Sequence, residues 1–397
     1  MHKKMIYLGG GRDIVNILKK ADELGIELHY IQKPELFDKA VLPYVRSFSL
    51  FDYDDFHKSK ELFEETFDRL RPDSIFSLNE NGVVAAAYYR ELYGITGNSY
   101  VTSQRLRNKF MMREHLKLHN FSSLLYSSGS SESDLFRFFD QCSEFIVKPV
   151  DASGSFSIFK VSSSDQIFGI WRLLSENRVK SFIMEEYLNG PELSVETFTQ
   201  NGKHHVLSVT EKLTGDNFVE TGHVVPGRFN TDFRRLVSDF TAQFLDIMSF
   251  ASGPAHTEIK FKDGIPHIVE SHDRTGGDRI NDLVCLATGM DMRKLALAQA
   301  AGIHPVNLEE MTTPSAAVIR YCTPPSGQLL EIIGIESART SPNVRELTLS
   351  ISEGEIVRPL RESGDRVGFV ISTGDTPESA LSSAEKALRV LNFKISN

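Results

Sequence analysis

Glu258-Ile259-Lys260-Phe261-Lys262-Asp263-Gly264-Ile265-Pro266-His267-Ile268-Val269-Glu270 is the stretch on which the reading of this chain turns. Two runs that alternate apolar and polar residues flank Asp263-Gly264, the strongest short-range hairpin signal, and a carboxylate stands at each outer end. Register decides whether Glu258 and Glu270 act together. A two-residue loop places the acids on opposite faces, whereas an odd loop with a bulge sets them against each other on one face. Two ionised carboxylates about 5 Å apart repel unless a cation lies between them. Mg²⁺ suits such oxygens and keeps positions open for phosphate. The plain alternative is a solvated hairpin with unrelated acids.

The residues that follow weigh against that alternative. In Ser271-His272-Asp273-Arg274-Thr275-Gly276-Gly277-Asp278, His272 and Arg274 lie at even spacing from Glu270 and share its face if the strand continues. The glycine pair lets backbone approach a ligand. A cation beside a metal-binding acid is what phosphoryl transfer requires, because the moving charge must be neutralised from several sides. Upstream, Lys148 ends an apolar strand before Pro149, and Asp151-Ala152-Ser153-Gly154-Ser155-Phe156-Ser157 offers amides and hydroxyls for capping phosphates. No GxxxxGK[ST] sequence occurs, so this is not a Walker loop.

Working outward, the first hundred residues alternate strand and helix, as a small parallel sheet with helices on its faces requires. Met5 to Leu8, Ile26 to Ile31 and Pro72 to Leu78 read as strands. Helices are expected from Ile14 to Ala21, Asp54 to Leu70 and Gly82 to Tyr93. Gly9-Gly10-Gly11 invites a dinucleotide-binding reading, but GxGxxG fails at Ile14 from Gly9 and at Arg12 from Gly10, leaving a structural turn. Beyond Val101 one helix carries Arg105, Asn108, Lys109, Met112 and Leu116, and Ser122 to Ser133 reads as a hinge. Strands at Phe145 to Lys148, Phe156 to Val161 and Phe182 to Glu185 imply an antiparallel sheet. After Pro314 come a strand-rich stretch from Ile351 to Val370 and a closing helix from Pro377 to Leu391.

Composition limits the function classes. The chain has 397 residues, 44 Lys+Arg against 53 Asp+Glu and a formal charge of −9, which argues against nucleic acid as a partner. No apolar stretch approaches the roughly 20 residues of a membrane span, and the apolar run after Met1-His2-Lys3-Lys4 is too short for a signal peptide. A soluble cytoplasmic protein is expected. Cys142, Cys285 and Cys322 offer neither a disulfide framework nor a CxxC metal site, and adjacent His204-His205 on a strand cannot share a metal.

Together these motifs resemble the ATP-grasp carboxylate–amine ligases, with the L-amino acid ligases (dipeptide synthetases) nearest in motif. The resemblance implies a multidomain α/β and α+β fold: a Rossmann-like N-terminal domain over 1–100, an ATP-grasp lid over 101–190, a catalytic domain over 191–310 and a C-terminal subdomain over 311–397. It implies ATP and Mg²⁺, or Mn²⁺ in its place. Lys109 and Lys148 match the phosphate-binding lysines, with Ser153, Gly154 and Ser155 in the phosphate loop. Glu185, Glu186, Tyr187 and Leu188 match the adenine hinge and Glu192 the ribose acid. Glu258 and Glu270 match the metal acids, and Arg274 the arginine that steadies the transferred phosphate. By the same resemblance Lys148, Glu270 and Arg274 are catalytic, while Glu220, His223, Arg274, Gly276 and Gly277 meet the amino-acid substrates. His272 stands where most members carry Asn; it either ligates the metal or hydrogen-bonds a phosphate or a substrate carboxylate. The implied reaction uses ATP to activate an amino acid as an acyl phosphate, which an amine then captures. The Ser-rich loop and the segment from Lys212 to Pro226 are expected to close over that intermediate. The partners expected are an amino acid and a small amine, with neither nucleic acid nor membrane; a homodimer and a carrier-bound acceptor amine stay open, as does a non-catalytic nucleotide-binding regulator.

Overall fold

A computed structural model describes every residue except 1, 12, 153, 155, 216–218, 304–307, 309–314 and 397. The first four strands form a wholly parallel sheet in the order Ser47–Leu50, Glu27–Gln32, Lys4–Leu8, Ser74–Phe76. Helices Ile14–Glu23, Phe56–Leu70 and Val83–Leu92 pack against it. The first of these buries Ile14, Ile17, Leu18 and Ala21, the apolar stripe seen in sequence. A Cβ at Gly10 would lie 2.7 Å from both Ile14 and the Tyr30 hydroxyl, so the glycine turn serves close packing.

A second sheet is antiparallel, ordered Tyr126–Gly129, Phe182–Glu186, Phe145–Pro149, Phe159–Val161. Helices Glu132–Phe139 and Gln166–Glu176 contribute Leu135, Phe138, Ile167 and Leu174 to its core. The largest sheet has eight antiparallel strands, ordered Ile265–His272, Gly253–Lys262, Glu192–Gln200, Lys203–Thr214, Glu220–Val225, Ala316–Tyr321, Gly368–Gly374, Val344–Leu349. Helices Ile280–Thr288 and Met292–Ala300 share one apolar core with Tyr7, Leu28 and Ile319, which joins this sheet to the first. A small third antiparallel group, Ile356–Val357, Gly327–Ile333 and Asn392–Ser396, lies near the closing helix Pro377–Val390.

Four expectations need correction. The helix expected beyond Val101 is two helices, Tyr100–Arg107 and Lys109–Leu118, broken at Asn108. Asn108 has extended backbone, and its side chain accepts from the amides of Phe110 and Met111, so it caps the second helix and sets Lys109 at that helix's first position. The serine-rich segment carries regular structure beyond Leu125. Tyr126–Gly129 is an edge strand, and Ser131 forms a capping box with Asp134. Lys212 and residues 220–225 lie in strands of the large sheet, because alternate side chains there face a charged surface and a core. Between Ile351 and Val370 the chain is mostly irregular, with only Ile356–Val357 and the start of Gly368–Gly374 in strands.

Replacing Asn108 with Ala is expected to cost about 1 kcal/mol, the usual worth of a helix cap. Urea unfolding of the two proteins measures it, and an unchanged midpoint would show that the cap does not hold Lys109 in place.

Candidate active site

The hairpin resolves the register question in an unexpected way. Its turn is the tight two-residue one, with Asp263 and Gly264 at φ 50° and 79°, and Lys262 pairs with Ile265. The pairing then shifts: Ile259 faces Ile268, but Glu258 faces Glu270. Val269 is the extra residue of a bulge, and it brings the two carboxylates onto one face.

That face is a grid of charge. Glu258 lies opposite Ser194 on one side and Glu270 on the other, and in the next row His256 lies between Glu196 and His272. Lys109 Nζ donates to Glu270 Oε2 at 2.7 Å and to the Ala152 carbonyl at 2.7 Å, which ties the small-residue loop to the acid. Lys148 Nζ lies 2.7 Å from Glu185 Oε2, and Arg113 Nε donates to Glu185 Oε1 at 2.5 Å. Burial alone would raise the Glu185 pKa, but the charges of Arg113 and Lys148 hold it down at about 2. Glu185, expected at adenine, lines the same cavity as Lys148 and also holds that lysine. Burial opposes ionisation of Glu270 too, and Lys109 and His272 overcome it, keeping the carboxyl well below the usual range.

Lys212 is the largest omission of the sequence reading. Its side chain is 2% exposed, and Nζ lies 2.5 Å from Glu192, 3.0 Å from Glu258 and 3.2 Å from Glu220. The carboxylates of these three acids lie within 4.8 Å of one another, and the ammonium sits among them. Glu192, expected at ribose, and Glu220, expected at a substrate ammonium, therefore meet the same internal cation. Only an alternating strand register would have revealed this, and the segment read as a loop.

Glu80 was also missed. It follows the strand Ser74–Phe76 at its carboxyl end, where ligands of parallel sheets gather. It accepts from Arg274 Nε and lies 3.3 Å from both Arg107 Nε and His272 Nδ1. Burial would raise its pKa, but Arg274, His272 and Arg107 hold it well below the usual range. The other His272 nitrogen, Nε2, is 3.0 Å from Glu270 Oε1. A carboxylate thus faces each ring nitrogen, so the imidazole bridges Glu80 and Glu270.

Two adjoining cavities share this face. The first is lined by Lys109, Lys148, Glu186, Leu188, Glu258 and Glu270, together with Tyr187 and Gly154. Lys160 Nζ sits 3.7 Å from the centre of the Tyr187 ring. Ser153 and Ser155 lie outside the described residues. The second cavity is lined by His223, Arg274, Gly277, Asp278 and Ser363, and shares Lys212, Glu220, Glu258 and Glu270 with the first. Arg366 donates to both Asp278 oxygens, at 2.6 and 2.7 Å, and stacks 3.7 Å from the Tyr321 ring centre. His223 Nε2 lies 3.3 Å from Asp278, while Nδ1 is buried with no partner among the described residues. Gly276, expected to meet substrate, packs instead against His256: a Cβ there would be 2.8 Å from Nδ1.

Comparison with known proteins bears on the fold. Residues 142–282 match the family described as ATP-grasp domain, and residues 320–396 match L-amino acid ligase C-terminal domain 2. The crystal structure of an L-amino acid ligase from Bacillus licheniformis superposes with a TM-score of 0.83 at 21% identity, covering 100% of this chain and 99% of that one. Carboxyaminoimidazole ribonucleotide synthase from Aspergillus clavatus, complexed with ATP, gives a TM-score of 0.77 at 14% identity, covering 98% of each chain. A D-alanine--D-alanine ligase of Flavobacterium psychrophilum is 27% identical over 142 residues, 33% of this chain and 42% of that protein. The chain therefore spans less than half of that curated relative. These likenesses carry the ATP-grasp fold. Among the described residues no helix is long and apolar enough to cross a membrane.

The Glu185 pairing has a pH signature. Its depressed pKa contributes stability that is present above the ordinary carboxylate value of 4.5 and is lost as pH falls toward about 2. Glu185→Gln is expected to destabilise the protein by about 3–5 kcal/mol at neutral pH by leaving two buried cations unpaired. Denaturant unfolding at several pH values checks this; the gap should narrow below pH 4.5, and a pH-independent gap would refute the pairing.

Proposed function

We propose that this chain, which belongs to the ATP-grasp superfamily, is an ATP-dependent carboxylate–amine ligase that joins amino acids through an acyl phosphate and releases ADP and phosphate. The observation that carries this reading is the junction of the two cavities. Glu258 and Glu270 line both, with Lys109 and Lys148 in the first and Arg274 in the second.

In this reading ATP occupies the first cavity. Its base lies against the hinge of Glu186, Tyr187 and Leu188, its ribose lies toward Glu192, and its phosphates lie between Lys109, Lys148 and Gly154. Each lysine is already held by a carboxylate, so the site is preorganised before a polyanion enters. Glu258 and Glu270 offer directly opposed hard oxygen donors, the set that fits Mg²⁺ or Mn²⁺. Such an ion, when bound, neutralises charge on the phosphates. His272 fits better as a clamp between Glu270 and Glu80 than as a third ligand.

The amino acid occupies the second cavity, its ammonium toward Glu220 and its carboxylate toward Arg274. One carboxylate oxygen attacks the terminal phosphorus and ADP leaves. The second amine then attacks the activated carbonyl and expels phosphate, with Arg274 steadying the charge. His223, held through Nε2 by Asp278, lines this cavity, and the proton the amine sheds leaves with the departing phosphate. Catalysis is positioning and charge neutralisation, without a covalent enzyme intermediate.

A matrix of amino-acid pairs with ATP and Mg²⁺, read by phosphate release and product mass, tests the reading. At least one pair should yield ADP, phosphate and a dipeptide mass. If no single amino acid or pair stimulates phosphate release, small-molecule ligation is wrong. Glu270→Gln should lower turnover by roughly 10² or more with the fold intact, and retained activity would refute the role of Glu270.

A further inference from the structure

We propose that Glu196 and His256 are positioning residues that orient the metal-side carboxylate of Glu258; the proposal rests on the metal reading of Glu258 given above. Glu196 is fully buried and accepts from the Ser194 hydroxyl at 2.7 Å. Both of its oxygens lie within reach of His256 Nδ1, at 2.9 and 3.0 Å. The other ring nitrogen, Nε2, lies 3.3 Å from Glu258 Oε1, the oxygen that also meets Lys212 at 3.0 Å. Glu258 is therefore gripped at one oxygen from two sides, which fixes its rotation.

Glu270 is held by the same kinds of group, but one at each oxygen. It meets one lysine, Lys109, and one imidazole, His272, whose far nitrogen faces the buried carboxylate of Glu80. The two acids thus each carry a lysine and a histidine backed by a second carboxylate, although the supporting groups come from different strands and loops. The two imidazoles lie nearly parallel, 6.2 Å apart between ring centres at 16°.

A purely stabilising role explains this poorly. A buried ionic pair is seldom worth more to stability than apolar residues of equal volume, so the Glu196–His256 pair is better accounted for by what it orients. The chain also makes room for it. A Cβ at Gly276 would fall 2.8 Å from His256 Nδ1 and 3.2 Å from Glu196 Oε2, so glycine there lets the backbone close over the pair. Carboxylate–imidazole pairs behind metal ligands typically contribute 10- to 100-fold in metal affinity.

The test uses Mn²⁺ as the probe, titrated into the full-length protein and followed by electron paramagnetic resonance. ADP affinity is measured separately in the presence of EDTA. Glu196→Gln and His256→Gln should each weaken Mn²⁺ binding about 10- to 100-fold and leave metal-free ADP binding unchanged. Should His256→Gln fail to fold, the double variant Glu196→Gln with His256→Gln, which replaces the buried charges with two neutral amides, carries the same expectation. Wild-type Mn²⁺ affinity in a folded variant would overturn the proposal, as would an equal loss of Mn²⁺ and metal-free ADP binding, the mark of a general structural defect. Glu258→Gln separates the two levels of argument. If it loses Mn²⁺ while His256→Gln does not, only the positioning role fails; if it binds Mn²⁺ normally, the metal reading of Glu258 fails as well.

Discussion

One residue of strand register underlies the site. Val269 is extra in its strand, and it turns a tight hairpin that would separate Glu258 from Glu270 into one that opposes them. The same shift sets His272 opposite His256 and brings the chain to Arg274 at the second cavity. Without it, Glu270 and His272 would face the other side of the sheet, away from Lys109 and Glu80.

Opposing two acids creates an electrostatic problem that the surrounding side chains answer. Two carboxylates about 5 Å apart repel by about 3 kcal/mol at an effective dielectric of about 20. Lys109 and His272 grip one acid, and Lys212 and His256 grip the other. His256 shows the strength of the arrangement. Burial would lower its pKa, yet Glu196 and Glu258 raise it to about 10. A chain at −9 overall thus concentrates cations where phosphate chemistry needs them. Other acids hold those cations in place: Glu185 for Lys148, Glu80 for Arg274.

Much of this was legible in the sequence. The parallel N-terminal strands and their helices follow from apolar periodicity, and the hairpin follows from Asp263-Gly264 between alternating runs. Lys109, Lys148, Glu258, Glu270 and Arg274 were each singled out and fall around the joined cavities. What stayed hidden depends on contacts distant in sequence. The position of the bulge at Val269 leaves no mark in composition or spacing. Glu80 lies 194 residues from Arg274, and Lys212 is separated from Glu258 by strand pairings that a segment read as a loop does not suggest. Asn108 looked like one more polar helix position, because a cap inside a continuous apolar stripe shows only in its backbone angles.

The central claim is that this charged face activates a carboxylate by moving a phosphoryl group onto it. The most direct measurement follows oxygen. An accepted amino acid labelled with ¹⁸O in its carboxylate is turned over with ATP and a second amine, and the released phosphate is analysed by mass spectrometry. An acyl phosphate requires one labelled oxygen to leave with each phosphate, because the attacking carboxylate oxygen stays on phosphorus when the amine displaces it. Amide product formed with phosphate free of label would contradict the account, since the displaced carboxylate oxygen would then have left on another group.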